Sequence, residues 1–189
     1  MAARSRRPYV SGMSRTPFPS SITVREARDA YLAENGFSVE AYDAKWTDAS
    51  FLGIKFRVPN TARHRVGIML HDLHHVATGF GTDLVGEGEI SMWEARGGLA
   101  ALGPYVGGIV VSGALMGLLL SPRRAIRAFR AARGRSLFPF CRLSEDELEK
   151  RYDELLGMTV GELRRTLGVA ASGVADRPRR LHAYAPKIA

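Results

Sequence analysis

The residues best able to do chemistry stand together in one segment, HDLHHVATGFGTDLVGEGE, residues 71–89: His71, Asp72, His75 and Glu87. A helical residue turns by about 100°, so His71 and His75 lie within about 40° of each other, one turn apart on one face, where two imidazoles can share one ion. Asp72 lies about 60° around from His75 and can either ligate or accept a hydrogen bond from an imidazole and fix its tautomer. His64 is seven residues before His71 on the same stripe and is a candidate third ligand or supporting group. His74 points off that stripe, toward the surface or into other packing.

Glu87 makes the pattern more than a histidine pair. His75 comes four residues before Gly79, and Glu87 five residues after Thr82. If two helices fold back over this short turn, a rise of about 1.5 Å per residue brings both side chains to nearly equal height, roughly 6–8 Å from the turn. Glu94 is seven residues further along the same face, placed as an outer ligand or a base. His64 and Glu94 are therefore the candidates for moving protons, and His71, Asp72, His75 and Glu87 for holding one divalent ion. HDLHH has Asp where the zinc proteases' HExxH has the longer Glu that serves as general base, which argues against a protease. The His64 to His71-Asp72 spacing is too short for an HD phosphohydrolase. Nitrogen and carboxylate donors suit Zn, Mn or Fe(II), and two His with one carboxylate is the facial set of non-haem iron oxygenases. Cys141 is the only cysteine, so neither a disulfide within the chain nor a cysteine-rich zinc site is available.

The elements that must position these residues read as helices, and the expected fold is all-α: a single-domain helical bundle with its metal site at a helix-turn-helix hairpin. Thr23 with Glu26, Ser144 with Glu147 and Thr159 with Glu162 form capping boxes. Asn60 or Thr61 opens a helix running to about Thr78, which Gly79 and Gly81 end, and Thr82 or Asp83 opens the next. Phe51 to Pro59 reads as a connection. Residues 1–22 form a basic N-terminal segment, with the composition of either a transit peptide or a plain basic tail, residues 23–168 the helical domain, and residues 169–189 a flexible tail.

The chain has 189 residues, 46% hydrophobic and 24% charged, enough for one domain with a substantial core. A net charge of +8 and a pI near 10.1 imply attraction to polyanions. Much of that charge lies in RRAIRAFRAARGR, where Arg123, Arg127 and Arg130 are candidates for lipid headgroup binding, opened by Ser121 and Pro122. Composition does not choose among nucleic acid, anionic lipid and phosphorylated substrates, and the basic helix reads either as a solvated face or as an anionic headgroup or diphosphate site; a membrane surface, not nucleic acid, is the expected partner. Residues 97–121 carry no charged residue and must be weighed as a membrane span. Pro104 and the repeated glycines favour a core helix or a dimer contact, and Gly113 and Gly117 would let another backbone approach.

His71-Asp72-Leu73-His74-His75, eleven residues, then Glu87 resembles the H-D-x-x-H-x11-E signature of the Coq4 family of ubiquinone-biosynthesis proteins. GFGTDLVGE, residues 79–87, is similar to that family's G-x-P-T-N-L-x-G-E, with Gly79, Thr82, Leu84 and Gly86 in register. The resemblance spans roughly residues 23–168. It implies an all-helical homodimer, peripheral to a membrane, with a metal held by His71, Asp72, His75 and Glu87 beside a channel for a polyprenyl quinone precursor or another isoprenoid lipid. The implied activity is oxidative decarboxylation and hydroxylation of the precursor's ring. The alternative is a non-catalytic lipid-binding scaffold that organises other quinone-biosynthesis enzymes. The implied location is the cytoplasmic face of a bacterial inner membrane, or alternatively the matrix face of the mitochondrial inner membrane. The chain departs from the family pattern at His74, where an aromatic is usual, at Asp83, where Asn is usual, and at Ser91, where a basic residue is expected.

Overall fold

A computed structural model describes residues 17–51 and 54–175. Seven helices dominate: α1 (Val24–Asn35), α2 (Ala62–Thr78), α3 (Leu84–Gly97), α4 (Gly103–Leu120), α5 (Pro122–Ala131), α6 (Glu145–Gly157) and α7 (Val160–Leu167). Short 3-10 turns at Val39–Asp43 and Phe138–Arg142 complete the helical part. The caps predicted at Thr23, Thr61, Asp83 and Thr159 form, whereas the Ser121 side chain makes no cap bond to α5. The Thr23 and Thr159 hydroxyls accept from the backbone N–H of Glu26 and Glu162, each at 3.2 Å, while those glutamates accept in return from the cap residues.

One element departs from a purely helical fold. Strands β1 (Trp46–Phe51) and β2 (Ile54–Pro59) pair antiparallel, with Trp46 opposite Pro59 and Phe51 opposite Ile54. Ile54, Phe56 and Val58 alternate with Lys55 and Arg57, the period-two pattern of a strand. The run is short enough to pass for a connection, and it becomes a strand by pairing with a partner that the pattern does not identify.

The core gathers Leu70, Leu73 and Val76 of α2, Ile90 and Trp93 of α3, Leu163 and Leu167 of α7, and Phe80 and Phe138 from the connections. Arg164 is 1% exposed at its centre. It donates from Nε to the Ala77 carbonyl at 2.9 Å and from Nη1 to the carbonyls of Phe18 and Ala171 at 2.9 and 2.8 Å. One cation thus holds the C-terminal end of α2, the chain entering α1 and the chain leaving α7. Residues 17–22 and 169–175 accordingly differ from the tails expected there: Phe18 is buried, and the N–H groups of Val174 and Ala175 bond the Thr78 carbonyl at 2.8 and 3.1 Å. The expected basic segment before residue 17 and the tail after residue 175 lie outside the described residues.

Helices α3 and α4 pack backbone to backbone. A Cβ added at Gly117 would lie 2.8 Å from the Gly88 Cα, and one at Gly113 would lie 3.1 Å from the Ser91 Cβ. The close approach foreseen at Gly113 and Gly117 is made by α3 of the same chain. Gly117→Ala should force the helices apart, at a cost of about 1–3 kcal/mol. A thermal melt should show a fall of roughly 2–4 °C for each kcal/mol. An unchanged melting temperature would show that this approach is not constrained.

Candidate functional site

Asp83 caps α3 through the Gly86 N–H at 2.8 Å, and Gly79, in the left-handed region at φ 79°, ends α2. This five-residue turn, with Gly at the one position needing positive φ, folds α3 back so that its first turn faces the last two turns of α2. His71, His75 and Glu87 come together there, each offering a ligand atom within 4.8 Å of the others. The His71 and His75 Nε2 atoms are 3.1 Å apart, with the Glu87 carboxylate oxygens 3.4 Å from the first and 3.5 Å from the second.

The opposite nitrogen of each ring is tied behind the site. His75 Nδ1 lies 3.0 Å from the Phe80 carbonyl and His71 Nδ1 2.8 Å from Glu94 Oε1. Both acceptors call for a proton on Nδ1, which leaves both Nε2 atoms aimed at the same point. Two lone pairs cannot face each other at 3.1 Å without a cation between them. A proton on His71 satisfies this: burial alone would lower its pKa, but Glu94 and Glu87 outweigh burial and hold it well above the ordinary imidazole value. A divalent ion satisfies it too, since metal–nitrogen bonds of about 2.0–2.1 Å at a tetrahedral angle place two nitrogens about 3.3 Å apart. The residues therefore fit a metal. Burial would raise the Glu87 carboxyl, but the facing His75 and His71 bring it well below the usual range. The Glu87 side chain keeps 40% of its exposure while His75 keeps none, so Glu87 marks the side from which the site is reached.

The other expected site residues are placed differently. Asp72 is buried outside the three-residue group, and its Oδ2 accepts from the Tyr42 hydroxyl at 2.6 Å. Burial holds its carboxyl above the ordinary value. Tyr31 stacks on the His75 ring at 5.3 Å, completing an aromatic wall on that side. His64 sits in the first turn of α2, edge-on to Tyr105 at 5.8 Å, and burial lowers its pKa. Seven residues separate it from His71, about 10 Å along a helix, so it does not join the ligand group. Glu94 is fully buried. Burial would raise its carboxyl, but His71 and His74 lower it to about 2. His74 is wholly buried too, between Trp93 and Phe138, with Nδ1 2.7 Å from Glu94 Oε1. Helical angle alone did not identify this role, because the partner of His74 comes from α3.

Of the three expected headgroup arginines, Arg123 and Arg130 are exposed. Arg127 instead lies 3.3 Å from the buried carboxylate of Glu89, which Arg124 also clamps through two bonds. Helix α4 is long and apolar enough to cross a membrane, with a mean hydropathy of 1.7, yet only 28% of it is buried. One side packs on α3, and Tyr105, Ile109, Val111, Leu115, Leu119 and Leu120 stay exposed on the remainder.

With three ligands in the group, His71→Ala, His75→Ala and Glu87→Ala should each lose a metal that the wild-type chain takes up at about one per chain, with the helical circular dichroism retained. Asp72→Asn, which keeps an acceptor for Tyr42, should retain it. Loss of metal from Asp72→Asn in elemental analysis would bring Asp72 back among the ligands. Comparison with known proteins assigns no family: no family model, curated protein or solved structure matches the chain.

Proposed function

We propose that this protein is a metal-dependent enzyme of quinone biosynthesis that acts at a membrane surface on a polyprenylated aromatic precursor, removing the ring carboxyl and introducing a hydroxyl. The observation that carries the reading is the convergence of His71 Nε2, His75 Nε2 and the Glu87 carboxylate at the open side of the α2–α3 turn, with both Nδ1 atoms held from behind. Two His and one carboxylate would hold Fe(II), Zn or Mn and leave coordination positions free, and the ion would supply Lewis-acid activation of a ring oxygen or, as iron, a place for dioxygen. The resemblance of residues 71–87 to the Coq4 signature supplies the substrate class.

The chain's own residues supply the setting. Tyr31 and Tyr42 close the inner side of the site and exclude water there. Glu94 is bonded to two imidazoles, which suits it to orienting His71 rather than to shuttling protons. Helix α4, which runs beside Glu87 on α3, presents the apolar surface that a polyprenyl tail and the lipid around it require; a Cβ at Gly113 would lie 3.9 Å from the Glu87 carbonyl. Arg123 and Arg130 on α5 flank the exposed Ile126 and Phe129, so apolar and cationic groups share the surface that would meet anionic headgroups.

Anaerobic loading with Fe(II), Zn or Mn in turn, mixing with a prenylated hydroxybenzoate in detergent, and admission of oxygen should give a product that has lost the carboxyl and gained a hydroxyl by mass. His75→Ala should give none. An unchanged ring with all three metals would reject the catalytic reading, and retained precursor binding in that case would favour the lipid-binding scaffold. For the membrane, each Arg near an anionic surface contributes about 1 kcal/mol, screened over about 8 Å at physiological salt. Arg123→Gln with Arg130→Gln should therefore weaken binding to anionic vesicles roughly tenfold or more, and high salt should do the same to the wild type. Binding that ignores both changes would point instead to insertion of α4.

A further inference from the structure

His74 is among the most buried polar side chains of the domain. The direction of each hydrogen bond around it follows from one fixed donor. The Leu137 backbone N–H can only donate, and it points at His74 Nε2 at 2.9 Å. His74 Nε2 is therefore the acceptor, so the single proton of the neutral ring sits on Nδ1 and is donated to Glu94 Oε1 at 2.7 Å. The same Glu94 oxygen lies 2.8 Å from His71 Nδ1. As a carboxylate, Glu94 has only acceptors to offer, so His71 then donates from Nδ1 and offers Nε2 to the site. Glu94 Oε2 is buried with no hydrogen-bond partner among the described residues, so the carboxylate is held through Oε1 alone.

We propose that His74 and Glu94 are a positioning pair: His74, set by the Leu137 N–H, locks Glu94 as an ionised double acceptor, and Glu94 in turn fixes the orientation and tautomer of His71 for metal binding. This rests on the reading of His71, His75 and Glu87 as the ligands. It adds a partner beyond the common carboxylate–histidine–metal arrangement, a second histidine that touches neither the ion nor the substrate. Trp93 and Phe138 hold the His74 ring at 5.2 and 5.0 Å, so it has no other orientation available without displacing the core. The segment after α5 is thereby joined to the site through one backbone N–H.

The test uses the full chain and zinc as the probe. Chelator competition should give wild-type binding of about one zinc per chain, and nitrogen-correlated NMR of the zinc-loaded protein should show His71 bound through Nε2 with a protected Nδ1 proton. His74→Phe keeps the ring stacking and removes both hydrogen bonds. It should weaken zinc binding about 10- to 100-fold, the usual effect of losing such a support, and the His71 Nδ1 proton should exchange freely. Glu94→Gln keeps an acceptor but loses the charge, and should also bind zinc more weakly; it decides the matter alone if His74→Phe does not fold. Wild-type affinity and an unchanged His71 signal in the folded variants would overturn the positioning pair while leaving the ligand set standing. Failure of the wild-type protein to bind zinc at all would overturn both.

Discussion

The burial of the Glu94 carboxylate is the constraint from which the arrangement of the site follows. A carboxylate at 0% exposure is tolerable only if donors replace the water it has lost. Both donors here are imidazole N–H groups from successive turns of α2, and both reach the same oxygen. Because Glu94 belongs to α3, this bond fixes the rotation of α3 against α2. Glu87, two turns earlier on α3, is thereby brought opposite His71 and His75. The supporting carboxylate and the candidate ligand carboxylate are thus two readings of one helix face.

The domain repeats this device with the sign reversed. Arg164 is buried with no carboxylate beside it among the described residues, and it donates from Nε and Nη1 to backbone carbonyls, among them the Ala77 carbonyl near the C-terminal end of α2, while Nη2 finds no acceptor there. A cation at that end is favoured by the helix dipole as well as by the hydrogen bonds. It anchors the turn in which His75 and Gly79 stand. Glu89, on the opposite flank of α3 from the site, is clamped by Arg124 and Arg127 and ties α5 to the same helix. Three buried charges, each with partners from a different element, therefore hold α2, α3 and α5 in register, while apolar contact fills the space between them. Such groups specify which packing is adopted more than they add to its stability.

The α4–α5 side follows a different logic. Glycines at 113 and 117 bring α4 so close to α3 that its remaining surface, rich in Leu, Ile and Val, is left facing outward. In water that surface is a cost, and contiguous exposed apolar area of this kind marks interaction sites. The exposed arginines of α5 stand next to it, and under the proposed function the two would together meet a negatively charged, apolar-cored surface. The proposed substrate, with an apolar tail and an acidic ring, has the same two-part character.

Local sequence determined what local physics can determine. Capping boxes at Thr23, Ser144 and Thr159, the Gly79 stop and the Asp83 cap set the helix boundaries, and the i,i+4 spacing put His71 and His75 on one face. The short turn was enough to bring Glu87 to their height. Tertiary structure decided everything that depends on a partner distant in sequence. Asp72 was paired with Tyr42, thirty residues away, and stands outside the cluster of His71, His75 and Glu87. His64 shares the stripe of His71 but lies two turns along it, against Tyr105 of α4. Arg127 was taken by Glu89, and His74 by Glu94 and Leu137, three contacts that a helical projection of α2 or α5 alone cannot contain. Periodicity reports which face a residue occupies, whereas the role of a buried polar group is set by which donor or acceptor the rest of the fold brings against it.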